Sequence, residues 1–68
     1  MEYLIIIEKS ADGYGAYAPD FEGVGVVGDT REEVLMLMKE ALAMHIEDLK
    51  EKGESVPSPH NEAEVVLV

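Results

Sequence analysis

A chain of 68 residues allows one domain at most and lies near the lower size at which a single core folds unaided. It contains no cysteine, which excludes disulfides and thiolate metal sites and fits a reducing compartment. Five Lys and Arg against fifteen Asp and Glu leave a formal net charge of −10, which repels phosphate backbones and anionic lipid; a basic protein partner is its physical complement, the alternative being a charge that only confers solubility.

The five cations, Lys9, Arg31, Lys39, Lys50 and Lys52, are scattered among acids and form no basic patch, so no direct nucleic-acid binding is expected. The start of the sequence lacks the basic flank and long apolar run of a secretory signal, and Tyr3 to Ile7 is too short to cross a bilayer. The expectation is a cytoplasmic protein without membrane contact.

In chain order, Tyr3-Leu4-Ile5-Ile6-Ile7 is apolar on both alternating faces and predicts a buried, central first strand. Asp12-Gly13 between two apolar stretches is a hairpin signal, and a second strand follows from about Tyr14 to Ala18. Pro19 ends it by removing a ladder donor, and Asp20-Phe21-Glu22-Gly23 makes the next connection. Val24 to Val27 predicts a short third strand, in which Gly25 suggests an edge, a bulge or a close backbone approach.

Thr30 can cap a helix, with Glu33 three positions on completing a T-x-x-E capping box and Glu32 and Glu33 suiting the positive end of the helix dipole. Val34, Leu35, Met38, Ala41, Leu42, His45, Ile46 and Leu49 recur at helical spacing, so the helix runs to Glu51 or Lys52, with Gly53 placed to stop it. Met36 and Met44 fall off that stripe and broaden it. Ser55 to Asn61 is a proline-punctuated return loop, and Glu64-Val65-Val66-Leu67-Val68 predicts a fourth strand.

The expected fold is thus α+β in the order β-β-β-α-β, forming one domain over residues 1–68. Three antiparallel strands and a fourth parallel to the first give the spatial order 3-2-1-4, with one helix packed on one sheet face. The other face has only this chain's own side chains to cover it, so a second subunit or a partner is expected to bury it and a homo-oligomer is expected.

No catalytic, cofactor-binding or metal-binding constellation emerges. His45 and His60 are fifteen residues apart and not in a ligand spacing; His45 lies on the apolar helix stripe and His60 reads as a solvated loop residue. Glu8, Asp12, Asp20 and Asp29 at strand ends raise the alternative of a magnesium-dependent nuclease, but no Lys or Arg accompanies them to steady a phosphate. The glycines Gly23, Gly25 and Gly28 read as strand and turn devices rather than a phosphate-binding loop.

One resemblance covers nearly the whole chain. The Asp12-Gly13 turn, the stretch Tyr14-Gly15-Ala16-Tyr17-Ala18-Pro19-Asp20-Phe21-Glu22-Gly23 and the helix start Gly28-Asp29-Thr30-Arg31-Glu32-Glu33 come in that order. Leu42-Ala43-Met44-His45-Ile46 and Pro57-Ser58-Pro59 follow. Together they are similar to the signature of the HicB-like antitoxin family, although Glu22 stands where the family often has proline and Val24 where it often has cysteine. The resemblance implies a partial ribonuclease-H-like fold without catalytic carboxylates and a non-enzymatic antitoxin role. Its partner would be a small basic HicA-like toxin that cleaves messenger RNA, bound over its RNA-binding and catalytic surface. Many family members continue into an operator-binding domain; this sequence stops after the predicted last strand, so DNA binding is not expected of it. The candidate contacts for a basic partner are the loop acids Asp12, Asp20 and Glu22. The alternative is an orphan homo-oligomeric domain with another protein or a small-molecule partner.

Overall fold

The computed structural model describes all 68 residues, Met1 to Val68. Three strands come first, β1 (Ile6–Ser10), β2 (Gly13–Tyr17) and β3 (Gly25–Gly28), followed by one helix, α1 (Arg31–Glu51). The strands form a single sheet in the order β1-β2-β3, each pair antiparallel. Across it Ile7 pairs with Ala16 and Ala16 with Val26, while on the opposite face Glu8 pairs with Gly15 and Gly15 with Val27.

This alternation decides which face the helix covers, because successive strand side chains point to opposite sides. Ile7, Ala16 and Val26 belong to the core side, where Val34, Met38 and Leu42 of α1 are buried together with Ala16, Ala18 and Phe21. Val34, Met38 and Leu42 recur every four residues and so share one helix face. The helix lies chiefly over β2 and β3, where the small Ala16 and Ala18 leave room for the larger helix side chains.

Both helix ends follow local chemistry. The Thr30 side chain, on extended backbone, accepts the Glu33 N–H at 3.1 Å, satisfying one of the helix's free donors. The reciprocal half of the capping box is not made: the Glu33 carboxylate lies instead beside Gly28, 2.6 Å from where a Cβ would stand. At the other end Glu54 N–H donates to Leu49 O and Gly53 N–H to Lys50 O, the paired bonds of a Schellman stop. Gly53 supplies the left-handed backbone that this stop requires, with φ +70°. Lys52 pairs with Asp48 at 2.9 Å, and that hydrogen bond, with the Asp48 charge, raises the lysine pKa.

The expected fourth strand is absent, and with it the order 3-2-1-4. Glu64 to Val68 forms no strand, parallel or otherwise, and residues 54–68 carry no regular secondary structure. The architecture is β-β-β-α, and β1 is an edge strand, not the central one. Strand-like composition reports only fitness for a half-buried pleated surface; a ladder also needs a partner within reach. Here the return loop is tied down by Tyr3 Oη donating to Pro57 O at 2.6 Å and Asn61 Nδ2 to Asp20 Oδ1 at 2.6 Å, and the segment beyond is exposed and unpaired.

The first strand also begins later than Tyr3. The two-residue turn Ala11-Asp12 sets Ser10 opposite Gly13, and with β2 ending at Tyr17 the ladder runs out at Ile6. Tyr3, Leu4 and Ile5 are left without a ladder partner.

Two substitutions test this packing by urea unfolding. Thr30→Ala should lower stability by about 1 kcal/mol through the lost cap, and an unchanged midpoint would place the helix start elsewhere. Met38, only 1% exposed, anchors the helix to the sheet; Met38→Ala should cost about 2–5 kcal/mol. A domain of this size holds only about 3–5 kcal/mol in all, so that variant should be largely unfolded at room temperature.

Candidate functional site

The connection from Ala18 to Val24 organises one end of the sheet. Phe21 N–H donates to Ala18 O at 3.0 Å and Val24 N–H to Phe21 O at 3.4 Å, so two consecutive turns are wound in seven residues. Gly23, at φ +81°, takes the position of the second turn that side chains disfavour. Phe21 is thereby driven inward, where Tyr3 and His45 meet it edge-on at ring centroid distances of 4.7 and 5.7 Å. Edge-to-face pairs of this kind add to the burial itself. The trio ties the approach to β1, the turn and α1 together, and His45 is accounted for as a packing residue.

Asp20 is the buried carboxylate of the molecule, its side chain 0% exposed. Its Oδ1 accepts the His60 N–H at 3.2 Å and Asn61 Nδ2 at 2.6 Å, and His60 Nδ1 lies 2.9 Å away. Nδ1 also faces Ser58 O at 2.9 Å; both neighbours are acceptors, so this nitrogen carries the ring proton. Oδ2 is buried without a partner. A charged acceptor with three donors on one oxygen holds the return loop against the Phe21 turn, a function that sequence reasoning did not assign to Asp20, His60 or Asn61. Pairing over forty residues of chain leaves no local signature.

The three candidate contact residues are therefore not brought together. Asp20 is turned into the fold. Asp12 is exposed in the β1–β2 turn, and Glu22 is exposed in the β2–β3 connection at the opposite end of the sheet. Asp12 borders a shallow hollow on the face away from the helix, and Glu22 borders another at the far end of the sheet. Asp12 shares one with Glu8, Asp29, Gly15 and Val27; Glu22 shares the other with Tyr17 and Gly25. Between them the face is apolar, with Val27 81% and Tyr17 43% exposed and Ile6 paired opposite Tyr17. An apolar strip framed by carboxylates at both ends suits a basic protein surface with an apolar centre.

The acids do not converge on a catalytic centre. Glu8, Asp12 and Asp29 border one hollow while Asp20 is buried beyond the other, and no group of three or more His, Asp or Glu side chains is arranged to hold a metal ion. No helix is long and apolar enough to cross a membrane.

A three-stranded antiparallel sheet, one capped helix and an acid-framed open face define a small α+β protein. The chain belongs to the HicB-like antitoxin family of bacterial toxin-antitoxin systems, whose pattern matches residues 3–67. A chain of the solved "HicA3 and HicB3 toxin-antitoxin complex" superimposes with a TM-score of 0.71 and 37% identity, covering 88% of this chain and 70% of that one. An uncharacterized 14.9 kDa protein of Haemophilus phage HP1 is 44% identical over 57 residues. That match takes in 84% of this chain but 43% of the phage protein, so the chain spans less than half of that relative's length. The UPF0150 protein Ta0767 of Thermoplasma acidophilum is 38% identical over 91% of both chains.

The Asp20 anchor is directly testable. Asp20→Ala should cost about 2 kcal/mol, the scale of hydrogen bonds to a charged group, and should speed amide exchange at His60. Asp20→Asn, which keeps an acceptor oxygen, should lose less. Unchanged exchange at His60 in the alanine variant would show that the loop is held by other contacts.

Proposed function

We infer that this chain is a non-enzymatic antitoxin that binds and neutralises a small basic HicA-like toxin. The observation that carries this reading is the 37% identity, over 88% of the chain, to a chain of a toxin-antitoxin complex. Charge supports it: at −10 the chain complements a protein that must itself attract RNA, and an acidic cover on such a surface competes with the phosphate backbone. The toxin docks on the helix-free sheet face, with Tyr17 and Val27 against its apolar centre and Asp12 and Glu22 meeting its cations at the two ends. Asp20 acts from within by holding the turn that presents Glu22. The chain also self-associates, since its small core leaves apolar surface uncovered.

Retention of host proteins on the tagged chain tests the pairing. A small basic protein should be captured at low salt and released as salt rises, because exposed charge pairs are screened. The double variant Asp12→Lys/Glu22→Lys should keep its unfolding free energy within about 0.5 kcal/mol of the parent and bind that protein about tenfold more weakly. Undiminished affinity of the variant would move the docking surface away from this face.

A further inference from the structure

We propose that residues Glu64 to Val68 of one copy add as a strand to the β1 edge of a second copy, reciprocally, so that the free protein is a strand-exchanged dimer. This specifies the self-association inferred above and is independent of toxin binding.

Two stretches whose composition suits a buried strand lack any ladder partner within the chain. One is Tyr3 to Ile5, ahead of β1; the other is Val65 to Val68. Val65 and Leu67 are 96% and 98% exposed, an arrangement soluble proteins rarely leave open at an unpaired strand-forming segment. The molecule is also less compact than usual for its length, for which the radius of gyration is roughly 11 Å. The observed value is 13.3 Å, with a longest extent of 42 Å.

The receiving surface is equally specific. Because α1 lies over β2 and β3, the β1 side of the helix is uncovered, and a groove runs there between the two. Tyr3 and Ile5 form one wall and Leu42, Ala43 and Ile46 the other, with Lys39 the single charged side chain lining it. A strand laid on this edge would gain main-chain hydrogen bonds from Tyr3 to Ile5 and place alternate apolar side chains in the groove. Both faces of Val65-Val66-Leu67-Val68 are apolar, which fits a strand with the groove on one side and the open apolar sheet face on the other. Lys39 offers a cation to Glu62 or Glu64 of the incoming segment, opposing the mutual repulsion of two chains of charge −10. The anchored loop at Pro57 to Asn61 supplies a fixed base from which each segment extends, and reciprocal exchange closes the assembly at two copies.

Sedimentation of the intact chain with amide exchange tests this. The expected result is a dimer that persists or tightens as salt rises, the opposite of the toxin's behaviour, with slow exchange at Tyr3 to Ile5. Val66→Asp/Leu67→Asp should be monomeric with the helix intact by circular dichroism and with exchange at Tyr3 to Ile5 accelerated at least tenfold. Ala43→Glu, which blocks the groove from the exposed helix side, should give the same monomer. A dimer that survives both variants overturns the exchanged strand while leaving self-association in place. A monomeric parent chain overturns both.

Discussion

One helix can cover one face of a sheet, and everything else in this molecule follows from that limit. Val34, Met38 and Leu42 close over Ala16, Ala18 and Phe21, and with Asp20 these are all the buried residues. Burial on this scale offsets chain entropy only narrowly. The uncovered sheet face and the uncovered β1 edge are thus both the weakness of the isolated chain and its available binding surface. In such a protein, partner binding and stability draw on the same apolar area.

The turn after β2 shows how closely structural and functional acids can sit. Asp20 and Glu22 are two residues apart, yet the winding around Phe21 sends one carboxylate inward to His60 and Asn61 and leaves the other in solvent. The buried one is held by three donors on a single oxygen, its other oxygen having no partner; a buried carboxylate with no donors at all would be far more costly. The exposed one contributes to the field of the surface. The two kinds of association inferred for the chain respond to that field with opposite sign: a basic toxin is attracted by it, whereas a second acidic copy is held by apolar contact despite it.

What could be read from the residues divides by the range of the interaction. The helix was legible at both ends, since Thr30 and Gly53 act within one turn of themselves. The order of the family's motifs was legible too, from the Asp12-Gly13 turn to the proline loop. The antiparallel order of the first three strands was legible as well, but the absence of a fourth was not, because Val65 to Val68 has the composition of a strand and nothing local tells whether a ladder partner lies within reach. Asp20 was read as a surface contact for the same reason: its partners lie forty residues away, and a loop aspartate with no visible partner looks like any solvated turn residue. His60 is the solvated loop residue its position suggested, 66% exposed at the side chain, but its contact with Asp20 had no signal in the sequence.

The role inferred for this chain is to silence a messenger-RNA-cleaving toxin by occupying its basic surface. Cleavage of a defined RNA by the small basic protein retained from the host, followed as increasing amounts of the purified chain are added, decides whether it does so. Cleavage should fall to nothing near equal proportions and return as salt separates the two proteins. Cleavage that continues undiminished while the two remain bound would contradict the claim.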